Sequence, residues 1–324
     1  MKRPIILSTT ILTLFLGGAR SAFADTIFVS NEKDNTVTVV DGKTLEVIKT
    51  IPTARRPRGI IASPDGKEVY VAAGDGDIMD VIDTEKLAVT RQLDSGPDPE
   101  LMAVDPKGGI LYIANEDDSM VTIMDTKSGE VKAEVPVGVE PEGMGVSPDS
   151  KFTVATSEST SMAHVIDNAI EKLVANVLVD TRPREAKFTP DGKEVWVSSE
   201  VGGTVSVIDA SNWKVKEKIH FEVPGVRPEL LQPVGIEFTK DGKYVFVALG
   251  PGNRVAVIDP KTYEVKQYIL VGQRPWHLEL SSDQSKLYVA NGLTNDMTVI
   301  DVASLTAEKS VPVGRLPWGV AVIK

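Results

Sequence analysis

One phrase recurs seven times along this chain, and that repetition constrains the fold more than any other feature. A proline marks each copy, at successive steps of 42, 42, 42, 50, 42 and 42 residues: Pro57, Pro99, Pro141, Pro183, Pro233, Pro275 and Pro317. An aspartate that closes an apolar alternation recurs with a single 50-residue step as well, at Asp41, Asp83, Asp125, Asp167, Asp209, Asp259 and Asp301. A period in this range indicates one structural unit stacked many times. The longer step places an insertion between Asp209 and Pro233.

Each repeat has the pattern of four short strands. In the clearest copy, a strand after Pro57 ends at the turn Ser63-Pro64-Asp65-Gly66, where proline presets φ and glycine accepts a positive φ. A second apolar strand follows, and the third alternates strictly, as in residues 204–209. Strands at this spacing, four to a repeat, predict an all-β seven-bladed β-propeller with four antiparallel strands per blade.

The two ends of the chain complement each other. The C-terminus ends after one strand at 319–323, and the N-terminal part supplies three, at 26–30, 36–40 and 47–51. The sequence therefore predicts a last blade closed by N- and C-terminal strands within a single domain over residues 25–324. Closing a ring in this way removes exposed sheet edges.

Residues 1–24 have the composition of a secretory signal peptide. Lys2 and Arg3 precede an apolar stretch at 5–18, and Ala22-Phe23-Ala24 gives the small-x-small cleavage pattern. The apolar stretch is shorter than the roughly 20 residues of a membrane span. We expect a periplasmic protein with no membrane span in its mature form; an uncleaved anchor is the alternative.

Cysteine is absent, which excludes disulfides, thiolate metal sites and c-type haem attachment. The formal net charge is −11, and loss of the basic signal segment makes it more negative. Such a surface repels nucleic acid and attracts cations or basic partners. We therefore expect no nucleic-acid partner.

The second strand of several repeats carries a recognisable motif, at 69–72, 111–115 and 287–291 (Val-Tyr-Val-Ala, Leu-Tyr-Ile-Ala-Asn and Leu-Tyr-Val-Ala-Asn). In these residues the chain resembles the YVTN family of β-propeller repeats, and the resemblance covers essentially the whole predicted mature chain. Length, export signal and seven repeats are also similar to the PQQ-dependent catabolism-associated β-propeller group. That likeness implies a periplasmic PQQ-dependent dehydrogenase or an ABC transporter component as partner, and it carries no catalytic motif.

Residues beside the repeated prolines are the candidate ligand-binding set. Alternating strand directions place the loops between blades on the same face as the loops between second and third strands, at the channel mouth. The predicted ligand-binding residues there are Arg58, Arg184, Arg274, Trp276, His277 and Trp318. Indoles stack on planar or apolar ligands, and guanidinium groups hold anions. In the alternative, Trp276 and Trp318 simply fill the mouth.

The same positions in the neighbouring repeats are acidic. Asp98, Glu100, Glu140 and Glu142 form a candidate metal site, because calcium and lanthanides, as hard cations, take several oxygen ligands. Glu116, Asp117 and Asp118 add to this acidic arc. The alternative is charge balance, with Arg58 beside Glu100 and Glu142 beside Arg184.

No catalytic residue is assigned. The chain has three histidines and lacks the nucleophile-elbow, zinc-protease and phosphate-loop patterns. We expect a non-catalytic binding or accessory protein that serves PQQ-dependent alcohol oxidation or its ABC transport system. The alternative is a metal-dependent, lactonase-like hydrolase that uses carboxylates at the channel mouth. A third interpretation is a platform for protein interactions alone.

Overall fold

Seven four-stranded antiparallel sheets form the structure, which is a computed structural model describing residues 25–324. The predicted signal peptide at 1–24 lies outside the described residues. Within them, no helix has the length and apolar character needed to cross a membrane.

The first four blades follow the predicted repeats. Their strands are β1 (Thr26–Asn31), β2 (Thr36–Asp41), β3 (Val47–Pro52), β4 (Pro57–Ala62), β5 (Glu68–Ala73), β6 (Ile78–Asp83), β7 (Ala88–Leu93), β8 (Pro99–Val104), β9 (Ile110–Asn115), β10 (Met120–Asp125), β11 (Val131–Pro136), β12 (Pro141–Val146), β13 (Phe152–Ser157), β14 (Met162–Asp167) and β15 (Lys172–Leu178).

The remaining blades continue the series, and three short 3₁₀ helices lie at Gly74–Gly76, Pro228–Leu230 and Gly250–Gly252. The strands are β16 (Pro183–Phe188), β17 (Glu194–Ser199), β18 (Thr204–Asp209), β19 (Lys214–His220), β20 (Pro233–Phe238), β21 (Val245–Leu249), β22 (Arg254–Ile258), β23 (Val265–Leu270), β24 (Pro275–Leu280), β25 (Lys286–Asn291), β26 (Asp296–Asp301), β27 (Thr306–Pro312) and β28 (Pro317–Ile323).

The predicted ring closure is confirmed. Strand β28 pairs antiparallel with β1, with Thr26 opposite Ile323 and Phe28 opposite Ala321. The sheet order β28-β1-β2-β3 gives this blade one strand from the C-terminus and three from the N-terminal part. The two ends of the described part of the chain are therefore held in one hydrogen-bonded sheet.

The core lies between adjacent blades, because the second and third strands bury residues on both faces. Trp196 of β17 packs edge-on against Phe238 of the next blade, with ring centroids 5.3 Å apart, and is fully buried. Burying one such large side chain contributes about 1.5–3 kcal/mol. The repeated aspartates serve the outer turns: Asp41 Oδ1 accepts hydrogen bonds from the backbone N–H groups of Lys43 and Thr44.

The insertion lies where the spacing places it, between β19 and β20. Phe221, Val223 and Leu231 are buried in the core cluster that also contains Trp196. The apolar side chains of the insertion thus pack between the blade that precedes it and the blade that follows it.

The innermost strands approach one another closely because glycine occupies key positions. A Cβ atom on Gly59 would lie 2.2 Å from the carbonyl oxygen of Glu100, and one on Gly143 would lie 2.2 Å from that of Arg184. Each contact joins the innermost strands of neighbouring blades. Absence of side chains at these points narrows the channel and brings the residues beside the prolines together.

Replacing Gly143 by alanine tests this packing. We expect Gly143→Ala to lower the free energy of unfolding by about 1–3 kcal/mol, because the new methyl group overlaps the backbone of β16. Urea denaturation followed by circular dichroism measures the loss. Gly109→Ala is the matched control, since nothing lies within 4 Å of a Cβ there, and its change should stay within about 0.5 kcal/mol. Equal effects of both substitutions would contradict the close packing.

Candidate functional site

The residue after each repeated proline lies on an innermost strand at the proline end of the channel. Most of these side chains touch a neighbour. Together they make a ring with a charged half and an apolar, largely aromatic half: Arg58, Glu100, Glu142, Arg184, Val234, Trp276 and Trp318. We call these seven residues the proline ring. The ring is largely buried; Glu100, Val234 and Trp318 have at most 1% of their surface exposed. The proline end of the channel is therefore filled by side chains.

The charged half of the proline ring is paired. Arg58 Nη1 lies 3.0 Å from Glu100 Oε1, and Arg184 Nη2 lies 3.3 Å from Glu142 Oε1. Both ion pairs anticipated as charge balance thus form. Burial raises the pKa of Glu142 to about 7, against the opposing effect of Arg184. These carboxylates are held by protein cations.

The aromatic half continues the same network. Trp276 and Trp318 stack with ring centroids 6.2 Å apart, and His277 lies 4.1 Å from Trp318. The guanidinium groups of Arg274 and Arg184 lie over Trp276 at 4.3 Å and 5.4 Å.

At the other end of the aromatic half, the Arg58 guanidinium lies 5.9 Å from the ring centroid of Trp318. This contact joins the aromatic half to the charged half. The six predicted ligand-binding residues therefore belong to one contiguous cluster. Their role in binding a ligand stays a prediction.

A second tier of carboxylates, which the sequence reasoning missed, supports the ring from the loops after the second strands. Glu32 binds Arg58, while Glu158 and Glu200 bind Arg184. Glu200 Oε1 also lies 2.6 Å from Arg274. The signal that would have found them is positional: each directly follows a second strand, as Glu116 does.

The rim itself is held in an uncommon backbone conformation. The residue before the proline has a positive φ in six of the seven repeats, for example 59° at Arg56 and 58° at Arg274. Side-chain amides fix this geometry: Asn35 accepts a hydrogen bond from the Arg56 N–H at 2.9 Å, and Asn253 one from the Arg274 N–H at 3.0 Å. Such conformations persist where the surrounding structure enforces them.

Of the four predicted metal ligands, two come together with a third acidic residue. Asp98, Glu100 and Glu116 place one carboxylate oxygen each within 4.8 Å of the others, the one such group of potential ligands among residues 25–324. Arg56 binds both Asp98 and Glu100. Burial raises the pKa of Glu100 to about 7 and raises that of Glu116.

The other two predicted ligands lie outside this group. Glu142 pairs with Arg184, and the carboxylate of Glu140 accepts a hydrogen bond from Ser159. Metal binding by the four residues stays a prediction.

A cavity of about 320 Å³ lies on the channel axis, lined by residues of all seven innermost strands. His277 and Trp318 are at its proline end. Its lining also includes Pro148 and Pro190, exposed residues of the turns that follow the innermost strands. The cavity therefore reaches the face opposite the prolines, whereas the sequence reasoning looked for a site on the proline face.

The cavity has two chemically different walls. Three adjacent blades supply the polar wall with Glu185, Lys187, Glu237 and Glu279. The remaining blades supply an apolar wall with Ile61, Leu101, Met144, Val146 and Val320. None of these residues was singled out from the sequence.

One of the three carboxylates on the polar wall has no ion-pair or hydrogen-bond partner among the described residues. Lys187 Nζ lies 2.6 Å from Glu237 Oε2, and Glu185 Oε2 accepts a hydrogen bond from the Ile236 N–H at 2.7 Å. The carboxylate of Glu279 makes neither an ion pair nor a hydrogen bond with the residues the structure describes. Burial and the nearby Glu237 raise the pKa of Glu279 to about 8.

The side chains of His277 and Trp318 lack hydrogen-bond partners among residues 25–324, although Glu185 Oε2 lies 3.9 Å from His277 Nε2. Neither imidazole nitrogen of His277 has a hydrogen-bond partner within the described part of the chain, nor does the indole N–H of Trp318. His277 is 8% exposed and Trp318 is 1% exposed. Burial and the nearby Arg184 lower the pKa of His277 to about 3, so its imidazole is neutral at physiological pH.

With this architecture in place, comparison with known proteins gives the class. Residues 83–310 match the family described as lactonase, 7-bladed β-propeller, and the chain belongs to that family. None of the curated proteins matches it.

Solved structures share the fold. Hydrazine synthase of Kuenenia stuttgartiensis is 23% identical with a TM-score of 0.77, over 86% of this chain and 92% of that one. A functionally unknown protein from Desulfotomaculum acetoxidans is 15% identical with a TM-score of 0.79, over 92% and 98%. The dihydro-heme d1 dehydrogenase NirN is 19% identical with a TM-score of 0.68, over 91% and 74%. At these identities the likeness concerns the fold.

Removing the central arginine of the proline ring tests its electrostatic role. We expect Arg184→Met to destabilise the protein by about 3–5 kcal/mol, because buried carboxylates lose their shared cation. Arg182→Met is the matched control: this side chain is 49% exposed and reaches Glu158 and Glu200. Its loss should cost about 1 kcal/mol or less. Urea denaturation of both variants measures the difference in the free energy of unfolding. Similar decreases in the two variants would show that burial does not determine how much each arginine stabilises the protein.

The raised pKa of Glu279 predicts a pH dependence of stability. A carboxyl group with a higher pKa when folded than its usual 4.5 binds its proton more tightly in the folded state. Stability therefore falls as pH rises from about 4.5 through 8, with a limiting slope of about 1.4 kcal/mol per pH unit for one proton. Glu279→Gln removes this titration and should flatten the fall between pH 5 and 8. The free energy of unfolding is measured for wild type and variant at four pH values. The same dependence on pH in both proteins would contradict the assignment.

Proposed function

We propose that this protein is a non-catalytic binding propeller that holds a small ligand in its central channel and serves periplasmic PQQ-dependent alcohol oxidation or the associated ABC transport system. One observation carries the binding role: a preformed cavity on the axis, filled at one end by the proline ring and reaching exposed turns at the other. Ligand sites are typically concave, mostly apolar and equipped with a few directed polar groups.

The state of the charged groups favours binding over hydrolysis. A metal-dependent hydrolase needs an open coordination position and a base within reach. Here Arg56 binds Asp98 and Glu100, and Arg184 binds Glu142. His277, at the end of the cavity, is buried beside Trp318. Family membership supports the fold, and function must be argued from the site.

The biological context of the proposal is supported by the sequence. The repeats are similar to those of the PQQ-dependent catabolism-associated group, and residues 1–24 have the pattern of an export signal. A net charge of −11 favours a partner with a basic docking surface.

Co-purification tests the proposal. The full chain with a C-terminal affinity tag is expressed in a Gram-negative methylotroph or pseudomonad grown on alcohol, and the periplasmic fraction is captured. We expect a PQQ-dependent dehydrogenase or a component of an ABC transporter to co-purify, more at low salt than at high salt. An equally acidic exported protein with the same tag is the control for non-specific capture.

Lactone hydrolysis is the decisive negative test. Purified protein with added calcium should hydrolyse aliphatic lactones no faster than buffer does. Turnover that a chelator abolishes, and that Glu100→Gln and Glu116→Gln also remove, would overturn the non-catalytic proposal and establish a hydrolase at the acidic cluster.

A further inference from the structure

A free edge strand closes the outside of every blade. These strands are β3, β7, β11, β15, β19, β23 and β27, and each is hydrogen-bonded to one strand of its own blade. A free edge presents unpaired backbone N–H and C=O groups that another strand can bind, and native proteins block such edges with charged side chains or proline. Because the blades are repeats, each edge can be compared position by position with the others.

The exposed positions of the edge strands are identified by a β-bulge that all seven share. In β15 the bulge lies at Val174, since Val165 pairs with Ala175 and Ile166 pairs with Leu173. Val174, Asn176 and Leu178 are exposed. Steps of 42 and 50 residues give the equivalent sets in the other blades: Ile48, Thr50 and Pro52; Thr90, Gln92 and Asp94; Lys132, Glu134 and Pro136; Lys216, Lys218 and His220; Lys266, Tyr268 and Leu270; Glu308, Ser310 and Pro312.

Strand β15 is the one edge that leaves these positions unblocked. Each of the other six sets contains a charged residue or a proline, whereas the set in β15 contains neither. Two of its three side chains are apolar and stand in water, with exposed fractions of 47% for Val174 and 67% for Leu178. The turn before the strand adds Ile170, which is 56% exposed. This edge therefore has the features of a strand that pairs with another chain.

The direction of the backbone groups agrees with this role. The N–H of Val179 donates to the carbonyl of Ser161 inside the blade, at 3.0 Å. Residues of an antiparallel strand alternate in the side to which they bond, so Asn176 and Leu178 direct their N–H and C=O groups away from the blade. In three other blades the position of Leu178 is a proline, which has no N–H to offer: Pro52, Pro136 and Pro312.

We propose that this protein forms a dimer in which the β15 strands of two copies pair antiparallel about a two-fold axis at Asn176. Val174 of each copy then lies opposite Leu178 of the other, so two exposed apolar pairs leave water. The two four-stranded blades become one eight-stranded sheet, and the two-fold axis closes the assembly. This inference goes beyond the proposed function and does not depend on it.

Charge complementarity supports a second copy as the occupant. Lys172 begins the strand, is exposed and has no ion-pair partner within residues 25–324. Asp180 follows the other end of the strand, binds Lys218 and is 29% exposed. Pairing about Asn176 brings Lys172 of each copy to Asp180 of the other, so the attraction occurs twice.

Other registers fit less well. An axis at Ala175 would set Lys172 opposite Leu178 and Val174 opposite Asn176, which loses both the apolar pairs and the charge pairs. A slip of one residue would turn the paired side chains to opposite faces of the sheet. The pattern of this strand is therefore complementary to itself in one register.

Sedimentation velocity tests the dimer by dilution. The purified protein is measured from about 2 to about 200 µM in about 0.15 M salt, which screens the repulsion between two chains of net charge −11. We expect monomer at the low end and dimer at the high end, because one strand pair is a small interface.

Leu178→Pro restores the block that three other blades carry, at a position where the N–H points out of the blade. It should weaken dimerisation at least tenfold and leave the fold intact, which circular dichroism verifies. Leu270→Pro is the matched control, because Leu270 is the equivalent residue of β23 and is 65% exposed. Lys266 already blocks that edge, so this variant should dimerise as the wild type does.

Cysteine cross-linking locates the axis. The chain has no cysteine, so Asn176→Cys places one thiol beside its symmetry mate, at about 5.5 Å between Cα atoms, which a disulfide can span. Mild oxidation should give a covalent dimer. Thr50→Cys, at the equivalent exposed position of β3, is the control and should stay monomeric.

Three results would overturn the proposal. A chain that stays monomeric at the highest concentration excludes the dimer. A dimer that Leu178→Pro does not weaken, or in which Asn176→Cys cross-links no better than Thr50→Cys, places the contact elsewhere. A monomeric wild type whose co-purifying periplasmic protein is lost in Leu178→Pro assigns the edge to a different chain. The channel is untouched by these variants, so the proposed ligand binding is tested separately.

Discussion

Close packing of seven innermost strands around one axis is the constraint on which the rest of this structure depends. Glycines such as Gly59 and Gly143 permit it, because any side chain there would meet the backbone of the next blade. The packing brings residues 42 positions apart into contact. Every property of the site, from the paired charges to the shape of the cavity, follows from this convergence.

Convergence of the innermost strands desolvates the charged residues of the proline ring and fills one end of the channel. Arg184 and its carboxylate partners are almost entirely removed from water, so their mutual attraction must offset a large desolvation penalty. In return, the ring fills one end of the channel with groups that are already partnered. The cavity behind it is lined by Glu279, which has no partner among the described residues, and it opens toward the face opposite the prolines.

The sequence predicted the features of this structure that depend on local residue patterns, and it missed those that depend on which side chains point into the channel. The four strands of a blade, the shared last blade and the insertion before Pro233 follow from spacing and alternation, which are local in sequence, and the structure confirms them. The acidic residues beside the prolines allowed two interpretations, a metal site or charge balance. The two ion pairs expected for charge balance, Arg58–Glu100 and Glu142–Arg184, both form. Glu185, Lys187 and Glu279 were not predicted as site residues. A charged residue inside a strand can be assigned to the channel only once its side chain is known to point toward the axis.

By itself the sequence determined the repeat, the number of blades, the way the ring closes and which residues lie near the prolines, since a 42-residue period and two-residue alternation act through local geometry. Only the tertiary structure decided which carboxylates are neutralised and which are left unpaired. It also decided that the proline face is filled and that the space lies behind it. Those outcomes depend on distances across the channel, between side chains that the chain order keeps far apart.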